Sequence, residues 1–285
     1  MLSKLFGMFK SGPDKSAADA PAVIPTPLSR DAFLDAYVAY VQQHAPEIVI
    51  TRIDEGVGLA WPDGGTMRQF LNNAYTNYRR DAAAIDDIFD TELASAREAG
   101  NAAGRAVPFD LALVMPVVKT DAWLATVIEQ RGADIDPDHD LVVQPLVPGL
   151  LVVYAQNLPS SIEYVKRGDL GDIDETALDA RARANLEARL SSIVVHGDGG
   201  RYRVGLDGFF DVSLILVAAK WLPALEFPGD PVFALPARDQ LMVCGADDAE
   251  AVSELRVIAQ HIAADSAYAV GGNLLVLRGE ALHAI

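Results

Sequence analysis

The chain has 285 residues, 51% of them hydrophobic and 22% charged, enough to build a substantial core as one large domain or two modest ones. Its 40 acidic residues against 23 basic ones give a formal net charge of −17, a surface that repels phosphate backbones and excludes a general nucleic-acid role. The single cysteine, Cys244, excludes an internal disulfide, and no uncharged apolar run of about 18 residues exists to span a bilayer as a helix.

Along the chain, Met1–Lys10 lacks the apolar stretch of a signal peptide. It places Leu2, Leu5, Phe6 and Phe9 on one helical stripe with Lys4 and Lys10 beside it, suited to a weak contact with a membrane surface or a partner. Pro13, Pro21, Pro25 and Pro27 then forbid a continuous helix, so residues 1–28 are expected to be a flexible tail and tether. Ser29 is an N-cap for a helix carrying Phe33, Tyr37, Tyr40, Val41 and His44 and stopped by Pro46. Ile48–Ile53 and Val57–Trp61 flank Asp54-Glu55-Gly56 as a hairpin. Thr66 and Gln69 have capping-box spacing and predict a helix with Met67, Leu71, Ala74 and Tyr78 inward. A second helix is expected over 81–99.

Phe109–Lys119 reads as a strand that Pro116 confines to an edge or bulge. Asp121 is expected to cap a short helix with Trp123, Leu124, Val127 and Ile128 inward. Leu141–Leu146 and Leu150–Ala155 form a hairpin around Pro148-Gly149. Asp172 and Glu175 open a helix with Leu178, Ala182, Leu186 and Leu190 on its stripe. Ile193–Val195 and Tyr202–Leu206 flank the turn Gly197-Asp198-Gly199-Gly200. Asp211 is expected to cap an apolar helix. Strands over 232–235 and 241–244, a helix over 247–264 and strands near Tyr268 and over 274–277 complete the chain. Short hairpins and interspersed helices predict an α+β fold with largely antiparallel pairing. The order of elements suggests two related lobes, residues 29–160 and 161–285.

Most motifs that could carry chemistry fail on inspection. Asp134, Asp136, Asp138 and Asp140 alternate as in a calcium loop, but His139 stands where the glycine is required and Pro145 where the bidentate glutamate is required. Gly197–Gly200 joins two strands and no lysine follows, so it is a hairpin turn and not a phosphate cradle. His44, His139, His196, His261 and His283 lack the spacing of a helical zinc site, so neither a metal nor a cofactor is expected. Cys244 lies in the apolar strand Leu241–Cys244 and reads as a buried structural thiol.

The remaining candidate is a strand-to-helix junction. Asp207-Gly208 ends a strand, and Asp211 and Ser213 open the apolar segment Leu214-Ile215-Leu216. Such a junction exposes helix amides and can bind ligands, although acidic side chains there also serve as caps. Asp207, Asp211, Ser213, Arg238 and Asp239 are the candidate binding residues.

Four stretches occur in an order that resembles the YtpQ-like family of uncharacterised bacterial proteins. They are Met115-Pro116-Val117-Val118-Lys119, Ala184-Asn185-Leu186, Asp207-Gly208-Phe209-Phe210-Asp211-Val212-Ser213 with Ile215-Leu216, and Leu235-Pro236-Ala237-Arg238-Asp239-Gln240-Leu241. The resemblance covers roughly Met115 to Ala246. This chain departs from it at Leu214, where family members carry a basic residue, and at Phe209-Phe210, with one aromatic too many. The family has no assigned activity, so the resemblance implies a cytoplasmic bacterial origin and no mechanism. Taken together, the expectation is a non-catalytic cytoplasmic binding or adaptor protein with a protein or small-molecule partner, its tail available for peripheral membrane contact. The rival is a small-molecule enzyme using carboxylates around Asp207, Asp211 and Asp239.

Overall fold

The computed structural model describes residues 27–53, 56–102, 108–131, 140–158 and 162–285. The stripe Leu2, Leu5, Phe6 and Phe9 lies outside the described residues, as do Asp134, Asp136, Asp138 and His139. No helix among the described residues is long and apolar enough to cross a membrane.

Helix α1 (Arg30–His44) begins where Ser29 Oγ accepts the Ala32 amide at 3.3 Å, and it buries Phe33, Leu34, Tyr37 and Val41. Strands β1 (Val49–Ile53), β2 (Gly56–Ala60) and β3 (Thr66–Phe70) form an antiparallel meander. β3 corrects the capping-box expectation at Thr66 and Gln69. A turn at Trp61–Gly65, closed by the Trp61 amide on the Gly65 carbonyl at 2.9 Å, reverses the chain, and Gly58 then pairs with Arg68. Cross-strand pairing outweighs the local capping signal, and the helix α2 (Asn72–Arg80) starts only after it. Gln69 is buried and serves the core instead. Its carbonyl accepts the Tyr37 hydroxyl at 3.0 Å, and its amide donates to the Glu92 carboxylate at 2.9 Å on α3 (Ile85–Ala102). Phe33 sits 5.1 Å from the rings of both Tyr78 and Phe89, at the centre of this first core.

The second body starts with β4 (Val114–Thr120), α4 (Asp121–Arg131), β5 (Val143–Val147), β6 (Leu150–Asn157) and β7 (Ile162–Tyr164). β6 is central, with β4 on one side and β5 and β7 on the other, so β4 is the edge strand that Pro116 requires. Thr120, rather than Asp121, supplies the side-chain acceptor at the start of α4, and Ile128 is exposed. Helix α5 (Glu175–Glu187) is capped by Asp174, which accepts the Ala177 amide, two residues later than its sequence pattern suggests, and Glu175 pairs with Arg167. Then follow β8 (Val194–Asp198), β9 (Arg201–Gly205), a 3-10 segment (Val212–Val217), α6 (Ala218–Trp221), β10 (Pro231–Ala237), β11 (Gln240–Gly245), α7 (Ala249–Asp265), β12 (Leu274–Arg278) and β13 (Ala281–Ala284). These six strands form one antiparallel sheet in the order β13-β12-β10-β11-β9-β8.

Strand alternation sets the layers. Met115, Val117, Leu151 and Val153 on one sheet, and Val204, Phe233, Leu235, Leu241 and Val243 on the other, share a core with the 3-10 segment and Trp221. Tyr154 and Val152 point the other way, onto Leu178 and Ala182 of α5. Val232, Met242 and Cys244 point outward onto Ala251, Leu255 and Ala259 of α7. The body is thus four layers, helix on sheet on sheet on helix, and the fold is α+β with antiparallel sheets. The inter-sheet core joins residues from Met115 to Leu275, while a separate core is confined to Phe33–Ala96. Apolar packing therefore divides the chain between Ala96 and Val114, and sheets of three, four and six strands do not reproduce one another.

Candidate functional site

The 207–213 loop is built by its two carboxylates. Asp211 is buried and in helical conformation, and it makes no cap bond to the segment it precedes. The capping expectation is corrected here. Asp211 Oδ1 reaches back and accepts the amides of Leu206, Asp207 and Gly208 at 3.0, 2.9 and 2.8 Å. Gly208, at φ +80°, allows those consecutive N–H groups to converge on one oxygen. Asp207 Oδ1 accepts the Phe209 and Phe210 amides at 2.9 and 3.0 Å, and its other oxygen holds Arg189 at 2.8 Å. Ser213 is fully buried, and its Oγ accepts the Val118 amide at 3.4 Å, tying the loop to β4. Asp239, in the β10–β11 turn, accepts a hydrogen bond from the Gln240 side-chain Nε2 at 3.3 Å.

These groups anchor a different constellation. The Val212 amide donates to the Arg238 carbonyl at 3.2 Å, and the Arg238 amide donates to the Tyr268 carbonyl at 3.1 Å. The three segments hold Arg238 with its guanidinium 3.6 Å from the Tyr268 ring and 4.4 Å from the Phe209 ring. From the facing sheet, Lys119 at the end of β4 projects toward Trp123 of α4, with Nζ 5.0 Å from its ring, and toward Tyr164 of β7, 5.9 Å away. Lys119 and Tyr164 pair with Leu151 and Ala155 of β6, which places both on the face that packs against the six-stranded sheet. Two cations and four aromatic rings thus meet at the rim of the inter-sheet core.

Burial, reinforced by the positive charge of Arg238, pushes the Lys119 ammonium down to about 8. Burial raises the Tyr164 phenol to about 12, with Arg238 opposing the shift. Neither Lys119 nor Arg238 has a carboxylate partner among the described residues, although acidic groups elsewhere pair with Arg52, Arg97, Arg167, Arg183, Arg189 and Arg201. A stacked guanidinium keeps its N–H edge free for bidentate bonds to a carboxylate or phosphate. Beside it, an ammonium penalised by its surroundings regains stability when an anion arrives.

Of the residues expected from sequence, Arg238 belongs to this cluster, Asp207, Asp211 and Ser213 hold the loop behind it, and Asp239 sits next to Arg238. The carboxylates of Asp207 and Asp211 accept backbone amides and do not converge on a common open point. Among the described residues no group of three His, Cys, Asp or Glu side chains could hold a metal ion. Sequence reasoning missed Lys119, Trp123, Tyr164, Phe209 and Tyr268. The one available signal was Lys119 itself, a cation closing an otherwise apolar strand. Comparison with protein-family models, with curated proteins and with solved structures found no match for this chain.

Proposed function

We propose that this chain is a non-catalytic binding protein whose site at Lys119 and Arg238 takes a small anion, a phosphate or carboxylate group. The observation that carries the reading is the pair of half-buried cations, free of carboxylate partners among the described residues and held against aromatic rings at the joint of two sheets. In a chain of net charge −17, leaving two cations uncompensated at one buried rim costs stability, which an anionic ligand offsets. Rings around the cations exclude water and strengthen each charge-assisted bond to the ligand. A cytoplasmic setting suits a lone thiol buried in β11, and kinship with YtpQ-like proteins remains part of the same reading. The rival enzyme on Asp207, Asp211 and Asp239 has less support, because the first two carboxylates are engaged by their own loop.

Inorganic phosphate, pyrophosphate and succinate, titrated while following tryptophan fluorescence, test this. Trp123 lies in the site, so at least one of them should give a saturable change that Lys119→Gln and Arg238→Gln each weaken. No response to any of the three would refute the proposal.

A further inference from the structure

On the α7 face of the six-stranded sheet lies a cavity of about 160 Å³. Its origin is geometric. Helix α7 packs over β10 and β11, and the sheet continues beyond it as β9 and β8. Arg201 of β9 bridges the gap, bonding Asp248 at 3.0 Å and Glu254 at 2.9 Å at the α7 side. The space beside that bridge is the cavity.

Its lining is divided in character. Met242 and Cys244 of β11 and Leu255 and Ile258 of α7 supply the apolar side, while His196, Arg203, Asp198 and the Arg201–Glu254 pair supply the polar side. In the strand register Arg203 lies directly between Met242 and His196, so the row His196, Arg203, Met242 crosses the sheet from polar to apolar. That row spans about 10 Å, two inter-strand spacings. Arg203 follows Arg201 on the same face, yet only Arg201 has ion-pair partners among the described residues. Burial pushes the Cys244 thiol up to about 11, with Asp248 adding to it, so the cysteine contributes apolar surface and no nucleophile.

We infer that this cavity binds a small monocarboxylate, its ring or short acyl chain against Met242, Leu255 and Ile258 and its carboxylate on the Arg203 guanidinium, with His196 as a second donor. The volume favours a group of that size, since a cavity of about 150 Å³ accommodates a benzene ring. The Arg203 guanidinium, which has no ion-pair partner among the described residues, fixes the head group, because an arginine pairs best with a planar bidentate acceptor. The site is independent of Lys119 and Arg238, and either proposal can fail without the other.

Benzoate is the probe, titrated into the full chain while NMR follows the His196 ring protons and the methyl groups of Leu255 and Ile258. Saturable shifts at these groups are expected. Arg203→Gln should weaken binding about tenfold or more, the value of one lost hydrogen bond to a charged group. Benzamide, with the same ring and no charge, should bind the wild-type chain about tenfold more weakly, a comparison that no folding defect can produce. Lys119→Gln should leave the shifts unchanged. Absence of saturable shifts at the cavity, equal binding of benzamide and benzoate, or benzoate binding that survives Arg203→Gln would each overturn the inference.

Discussion

Replacing Asp211 separates two accounts of the 207–213 loop. An ordinary helix cap lost to alanine costs about 1 kcal/mol. Asp211 instead satisfies three consecutive amides from one buried oxygen, at 3.0, 2.9 and 2.8 Å. Each hydrogen bond to a charged group contributes about 1.5–3 kcal/mol net. The three share one acceptor and their donors are only partly buried, so the sum is not additive. A loss of about 3 kcal/mol is therefore expected for Asp211→Ala. Asp211→Asn keeps the Oδ1 acceptor but loses the charge, and should cost about half as much. Urea unfolding followed by tryptophan fluorescence measures both, because buried Trp221 donates its indole N–H to the Leu214 carbonyl at 2.9 Å, just beyond this loop. A loss of about 1 kcal/mol or less for the alanine variant would show that the three amides are met by water and that the loop does not depend on Asp211.

Three further outcomes are expected. Gly208→Ala forces a side chain onto φ +80° and should lower stability by about 1–2 kcal/mol in the same unfolding assay, with no gain in any contact. Cys244 is buried with its thiol raised to about 11, so iodoacetamide should label it very slowly in the native chain and quickly in urea. Lys119 is held down to about 8 when folded, against about 10.4 in an unfolded chain, so between those values the unfolded chain binds more protons. Lys119 therefore contributes stability that grows between about pH 8 and about pH 10.4, while the raised Cys244 thiol and Tyr164 phenol lose theirs at alkaline pH, so the Lys119 part is read as the difference between wild type and Lys119→Gln, which should lack it. Anion affinity should fall over the same range as the ammonium is lost, a trend that titrations at about pH 7 and about pH 9.5 detect.

Local signals read the antiparallel α+β class well, because hairpin turns and apolar alternation are local properties. Gly199 and Gly200, at φ +58° and +84°, sit in the turn between β8 and β9 that their sequence announces. Pro116 announced an edge strand for the equally local reason that it lacks an N–H. Gln69 misled, since a capping-box residue and a buried bridge between Tyr37 and Glu92 look alike until the strand pairing is known. The short strands β7 and β13 carry too few residues to show a period. The site was mostly illegible because its six side chains come from five separated segments, and only the packing of one sheet on another brings Lys119 toward Arg238. The carboxylates of Asp207 and Asp211 drew attention as chemistry, while their hydrogen bonds show them shaping the loop that carries Phe209.

The central claim is that Lys119 and Arg238 serve one ligand together. A double-mutant cycle by calorimetry tests it, using Lys119→Gln, Arg238→Gln and the double variant, with the tightest binder among phosphate, pyrophosphate and succinate. Each single change should weaken binding about tenfold or more, and the double variant should lose clearly less than the two losses combined, because either change alone already dismantles the shared site. Wild-type affinity retained by either single variant, or strictly additive losses, would contradict a common site.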